Sequence, residues 1–423
     1  MTFDWSWLPW ALLAALAFFA AGWLVARVDL KQLLNESRAL PQSYFRGLNF
    51  LLNEQPDEAI EAFIEVTRSN PEAVELQFAL GSLFRRRGEV DRAIRVHQSL
   101  SERGDISAEQ RTNALLALAL DYQKSGLLDH AEQILADLAA RSAGTPTQQQ
   151  QTLELLLDIY VQENAWQKAI DIAQRLAVGM EQAGKPRRTR THGKEIANFY
   201  CELAAEAHAK NDLANAEQFL DAASAADGKC VRAHLMRGEW QAAGGQHEAA
   251  IATWRKIEAQ DPAYLGLMAQ KLLQSYQAVG RAGEGLDYLR ELQRQYPAID
   301  LLNVIFKATL DSAGAQAAYE LVKEDLRSNP TLVGLDRLLE AQVLAAPEER
   351  KADLVMLKQL VHTHSSRLAV YLCKQCGFKA KQFYWHCPAC GGWETFPPRR
   401  TAEYDTADRH LVRSQVEGQG ESH

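Results

Sequence analysis

The sequence predicts an all-α helical-repeat protein with one N-terminal transmembrane helix and a small C-terminal β domain organised by a metal ion. Three observations predict it. The uncharged stretch Trp7 to Ala26 is long enough to cross a bilayer. Between residues 40 and 364, small and large apolar residues recur with a period near 34. Near the C-terminus, Cys373-x-x-Cys376 and Cys387-x-x-Cys390 stand ten residues apart.

Composition narrows the function classes. Of 423 residues, 47% are hydrophobic and 24% charged, an ordinary globular balance that excludes a mostly disordered chain. The 46 basic residues against 54 acidic give a net charge of −8, which argues against nucleic acid as a partner. Six cysteines are too few for a disulfide scaffold, and four of them fall within one short stretch.

The anchor comes first, at residues 1–26. Its uncharged run rises about 30 Å as a helix, the thickness of a bilayer core. Trp5, Trp7 and Trp10 sit at one end and Trp23 at the other, as interfacial belts do. Asp4 lies on the N-terminal flank, whereas Arg27, Lys31, Arg38 and Arg46 follow the segment. The positive-inside rule therefore places the N-terminus outside and residues 27–423 in the cytoplasm. A cleaved signal peptide is disfavoured because a basic flank before the apolar run is missing. Residues 27–39 read as a juxtamembrane linker.

The repeat array spans 40–364. Gly47, Ala59, Phe63 and Pro71 mark a first unit, and Gly81 and Ala93 repeat the frame one full period later. Tyr122 and Ala131, Tyr160 and Ala169, Leu203 and Ala216, Gly238 with Ala250 and Trp254, and Tyr276 with Leu289 carry it further. Ala318 and Pro330 mark a degenerate eighth unit, and Leu335 to Val361 reads as further helix. Small residues let paired helices approach, large ones fill the space between pairs, and prolines close each unit. These positions resemble the tetratricopeptide repeat, which implies a superhelix of about eight to nine helix–turn–helix units. The tyrosines fall on packing positions, and Cys201 and Cys230 read as small buried hydrophobes. The steps Ala93 to Ala131 and Ala131 to Ala169 lengthen to 38, and Ala169 to Ala216 to 47. The last insertion holds the dense basic run Lys185–Lys194. It reads as a solvated loop or as a contact with membrane lipids or an acidic partner.

The C-terminal domain is expected over 365–398, after a short linker at His362–Arg367. Two facing Cys-x-x-Cys turns give four thiolates, Cys373, Cys376, Cys387 and Cys390, suited to one tetrahedral Zn²⁺ or Fe ion. Gly377 and Gly391 follow the second cysteine of each turn, where left-handed backbone is needed. Four thiolates leave no open coordination position, so the site reads as structural, and His386 beside Cys387 as a bystander or a support behind the ligands. Short strands are expected at Ala369–Leu372, Gln382–Trp385 and Trp393–Phe396. The aromatics Phe378, Phe383, Tyr384, Trp385, Trp393 and Phe396 exceed what so small a domain needs, so some should pack on the repeats. The tail 399–423 is polar and reads as disordered.

The order of anchor, NEQPDEAIEAF-type repeats and the YLCKQCGFKAKQFYWHCPACGGW ribbon resembles the lipopolysaccharide assembly protein B family of gram-negative bacteria, with a rubredoxin-type metal-binding domain. The resemblance implies a single-pass inner-membrane adaptor with a periplasmic N-terminus. It implies that a membrane-anchored AAA+ protease is helped to degrade the deacetylase that commits carbon to lipid A. It further implies control by an inner-membrane regulator that senses lipopolysaccharide. A general membrane scaffold for lipopolysaccharide assembly and transport proteins is the alternative, an electron-transfer protein a weaker one, and a homodimer is left open. Neither a nucleophile elbow, a phosphate loop nor an open metal site is visible, so the chain is not expected to be an enzyme.

Overall fold

The computed structural model describes residues 45–47, 49–50, 53, 55–69, 73–182, 192–368 and 371–398. The expected anchor 1–26, the linker 27–39, most of the basic run (185–191) and the tail 399–423 lie outside the described residues. Among the described residues no helix is long and apolar enough to cross a membrane. The chain divides between Glu163 and Asn164 into two compact units.

The first unit contains α1 (Pro56–Ser69), α2 (Val74–Arg87), α3 (Val90–Glu102), α4 (Ala108–Ser125), α5 (Leu128–Ala140) and α6 (Pro146–Gln162). Each helix packs on the next, and α2, α4 and α6 also touch in turn, so pairs stack on pairs. Ala59, Ala93 and Ala131 are fully buried where second helices meet first helices. A Cβ on Gly47 would lie 2.6 Å from the Phe63 ring, and one on Gly81 2.4 Å from His97. Glycine is therefore required for close approach at both places. The lengthened steps come from longer first helices, 18 residues in α4 and 17 in α6. Each of these opens on a capping box, Ser107 with Gln110 and Thr145 with Gln148.

His97 occupies in the second repeat the place that Phe63 fills in the first, and it is completely buried. Its Nδ1 lies 2.5 Å from Asp121 Oδ2, and Arg85 Nη1 donates to Asp121 Oδ1 at 2.7 Å. Asp121 is itself fully buried on α4, so one carboxylate ties three consecutive helices together. Asp121→Ala would strand an arginine and a histidine without their acceptor. The expected cost is about 3–5 kcal/mol, read as a lowered urea midpoint. Adding His97→Phe should recover part of that loss, because the preceding repeat already packs a phenylalanine against its glycine. A double variant no more stable than the single one would refute the pairing.

The second unit contains α7 (Trp166–Gln182), α8 (Gly193–Ala209), α9 (Leu213–Ala226), α10 (Val231–Ala243), α11 (His247–Gln260), α12 (Leu265–Ala278), α13 (Ala282–Gln295), α14 (Ile299–Ser328), α15 (Leu332–Ala345) and α16 (Glu348–Leu368). A single 3₁₀ turn, Pro262–Tyr264, precedes α12. Neighbouring helices pack throughout, and α8, α10, α12 and α14 touch in succession. Trp254, Tyr276, Leu289 and Ile305 lie in one of its core clusters. Gly238 repeats the close approach, its missing Cβ 2.3 Å from Trp254. Tyr160 and Tyr276 are buried as expected, whereas Tyr122 is only half-buried and stands 5.2 Å from the His130 ring. Cys201 and Cys230 are buried side by side, their sulfurs 3.9 Å apart.

The eighth unit, degenerate in sequence, is a helix pair: α14 breaks at Gly314 (φ 82°, ψ 178°) into a first and a second helix. Leu335 to Val361 is further helix as expected, shared between α15 and α16, which are parted at Ala346 and Pro347 and packed as a further pair. The expected linker His362–Arg367 is helical, because nothing from Lys358 to Leu368 is glycine or proline and α16 simply continues. Ser365 within it is buried, its hydroxyl donating to the His362 carbonyl.

Candidate metal centre and its seat on the repeats

The ribbon begins with β1 (Tyr371–Leu372), which pairs antiparallel with β2 (Lys379–Ala380). The second expected strand, Gln382–Trp385, does not form. The Cys376–Gly377 turn brings the chain straight back, so the ladder is used up by Ala380, and Phe383 and Trp385 beyond it face the repeats. The third reduces to one bridge, His386 with Trp393.

Both Cys-x-x-Cys turns are built alike. Gly377 N–H donates to the Cys373 carbonyl and Gly391 N–H to the Cys387 carbonyl, each at 2.9 Å. Both glycines adopt the left-handed backbone the sequence anticipated, with φ of 74° and 67°. The turns bring Cys373, Cys376, Cys387 and Cys390 together, with all four sulfurs within 4.8 Å of one another. Cys373 and Cys390 Sγ are 3.8 Å apart, as are Cys376 and Cys387. A tetrahedron of sulfurs about 2.3 Å from a central ion has edges of about 3.8 Å, so the donor set fits one zinc or iron ion. A disulfide would need sulfurs about 2 Å apart.

Electrostatics points the same way. Desolvation opposes it, yet the Thr395 hydroxyl and the N–H groups of Cys376 and Gln375 hold the Cys373 thiol down at about 6. Cys390 is pushed up to about 12: the Gly392 N–H pulls it down, but desolvation and the three neighbouring sulfurs outweigh that pull. Four thiolates repel one another in so small a volume, and a divalent cation removes the repulsion. The ion would supply cross-linking of the two turns. His386 is not idle: its Nε2 donates to the Gly391 carbonyl at 3.0 Å, and its ring stacks on Trp393 at 4.4 Å.

The ribbon is seated on the repeats of the same unit. Phe378, Tyr384 and Phe396 pack among themselves inside the ribbon, while Phe383, Trp385 and Trp393 face the helices. Trp385 lies parallel to Tyr264, 5.4 Å between rings, and Trp393 meets Trp166 and Phe199 edge-on at 6.1 and 5.6 Å. Polar contacts complete the seat. Asn198 Nδ2 donates to Glu394 Oε1 at 2.9 Å, and the Tyr371 hydroxyl donates to Asp300 Oδ2 at 2.8 Å. The Arg232 guanidinium stands 5.8 Å from the rings of both Trp385 and Trp393, held by Glu202 Oε1 at 2.8 Å and Asn198 Oδ1 at 3.3 Å.

Asn198, Arg232, Gly266 and Asp300 follow one another at intervals of one repeat period. They are one repeat position taken four times, near the N-terminal ends of α8, α10, α12 and α14. Three reach the ribbon, and Gly266 leaves room for Asp300, whose Cβ a Cβ there would approach to 3.3 Å. Neither this row nor Trp166, Phe199, Tyr264 and Glu394 stands out in the sequence. The row's signal is a position recurring in phase on first helices, masked by the stronger apolar periodicity.

Comparison with known proteins agrees with both parts. A family model described as "Rubredoxin metal binding domain" matches residues 371–398, and one described as "Tetratricopeptide repeat" matches residues 46–100. Lipopolysaccharide assembly protein B of Escherichia coli strain K12 is 34% identical over 383 residues, 90% of this chain and 95% of that protein. The protein of that name from Haemophilus influenzae is 27% identical over 396 residues, 91% and 97% of the two chains. Among solved structures, yeast Tom70 aligns with 78% of this chain and 85% of its own at 12% identity and a TM-score of 0.29.

Proposed function

The chain belongs to the lipopolysaccharide assembly protein B family, and from that premise we propose that it is an inner-membrane regulatory adaptor of lipopolysaccharide biosynthesis. The anchor holds residues 27–423 on the cytoplasmic face of the membrane, with the N-terminus in the periplasm. There the repeats and ribbon present the lipid A-committing deacetylase to a membrane-anchored AAA+ protease, under an inner-membrane regulator that senses lipopolysaccharide. The protein works by holding other proteins, not by chemistry of its own.

The observation that carries the reading is the seat of the ribbon. A metal-organised module clamped across four successive repeats makes one composite surface of helix ends and rigid turns. Such a surface binds protein segments by shape and charge. Confinement to the membrane plane raises the effective concentration of partners anchored in the same membrane.

Depleting the protein in cells should lengthen the half-life of the deacetylase several-fold, followed by pulse-chase after translation is stopped. An unchanged half-life, with loss of contacts among transport proteins, would instead favour the scaffold for lipopolysaccharide assembly and transport.

A further inference from the structure

A cavity of about 380 Å³ opens at the seam between ribbon and repeats. Its walls come from both modules: Lys229 and Tyr264 from the repeats, Lys374 and Trp385 from the ribbon. Three acidic and three basic side chains line it, so its formal charge balances. The distribution of partners does not balance. Asp227 Oδ1 accepts the Lys229 N–H and Asp261 Oδ1 the Ala263 N–H, both at 3.0 Å. Glu394 is taken by Asn198 and by Lys194, whose Nζ lies 3.6 Å from its Oε2. Lys229 and Lys374 carry no ion pair among the described residues.

We propose that this cavity binds a short acidic peptide segment, with an Asp or Glu side chain clamped between Lys229 and Lys374. A neighbouring apolar side chain rests on Trp385 and the two prolines, Pro397 and Pro398, that close the wall. Peptide fits better than a phosphate for two reasons. The three lining carboxylates repel a dianion, whereas a single carboxylate needs only the two free ammonium groups. Those carboxylates also keep lone pairs that several peptide N–H groups can use, whereas a phosphate offers only one or two O–H groups beside its negative oxygens. Because one lysine belongs to each module, an occupant ties the ribbon to the repeats. Lys194, the last residue of the basic run, is consumed by the seat and is not the recognition cation.

The proposal rests on the adaptor reading but names the chemistry of what is held. The test uses the metal-loaded full-length chain in detergent with an amidated peptide bearing an uncharged BODIPY label and a single carboxylate, Gly-Asp-Leu-Gly. Anisotropy should show saturable binding, and zero-length carbodiimide coupling should place the peptide on Lys229 and Lys374. Reversing both, K229E with K374E, should weaken binding at least tenfold; both side chains are exposed, so the fold tolerates the change. Cys373→Ser, which releases the ribbon, should abolish binding. Absent binding, or equal binding of the Gly-Asn-Leu-Gly analogue, overturns the proposal. So does tighter binding of inorganic phosphate or of phosphatidylglycerol vesicles at the same lysines. Binding is read on purified protein, so it succeeds or fails independently of the deacetylase half-life.

Discussion

Cys373→Ser is expected to release the metal, unfold the ribbon and lower the melting temperature of the repeats beneath it. The ribbon matched by the family model is residues 371–398, with two strands of two residues each. Its buried core is Tyr371, Cys373, Cys387 and Phe396, so half of that core consists of ligands. A domain this small does not fold without its ion. Loss of the ribbon would bare Trp166, Phe199 and Tyr264, all less than a tenth exposed in the seated state. A cost on the order of 3 kcal/mol corresponds to roughly 6–12 °C for a unit of this size. Metal content by atomic absorption, thermal melting and limited proteolysis would each report it. Metal-free protein that melts and resists protease like the parent would refute the coupling of ion to seat, and with it the mechanism.

Arg232→Ala should separate seat from ion. The side chain is only 11% exposed and serves Glu202, Asn198 and two indole rings at once. Its removal leaves a half-buried carboxylate unpaired and the tryptophans without their cation, at about 3 kcal/mol. All four thiolates remain, so the ion should stay bound. Expected results are full metal content, faster cleavage between α16 and β1, and red-shifted tryptophan emission. If regulation depends on the seated ribbon, this variant and Cys373→Ser should fail alike in shortening the deacetylase half-life. An Arg232→Ala protein that regulates normally with its ribbon demonstrably loose would show that the ribbon acts unseated.

Much of this was legible because some chemistry leaves little choice. Two Cys-x-x-Cys turns with glycine after each can do few things besides hold an ion. Gly47 and Gly81, each facing a ring one helix away, advertise close helix pairing at a fixed period. The failures have physical causes too. The ribbon's aromatics alternate as strand residues do, yet Phe383 and Trp385 serve tertiary contacts, and strand propensity cannot distinguish the two. His362–Arg367 looked like a linker because it is polar, but a helix on the outside of a pair is polar as well. Nothing local in the sequence marks His97, because its partner Asp121 lies on the first helix of the next pair. Partners that distant are fixed by stacking, not by local pattern.

The row Asn198, Arg232, Gly266 and Asp300 has a consequence for how this chain can change length. It works as a ruler whose graduations must meet fixed marks on a rigid object. Before it, the array tolerates lengthened steps; from Asn198 to Asp300 every step is the same. A residue inserted within one of these first helices ahead of its mark would rotate that mark by about 100° about the helix axis, and in α14 would carry Asp300 away from Tyr371. Lengthened steps are thus compatible with the repeats that precede Asn198 and incompatible with those beneath the ribbon.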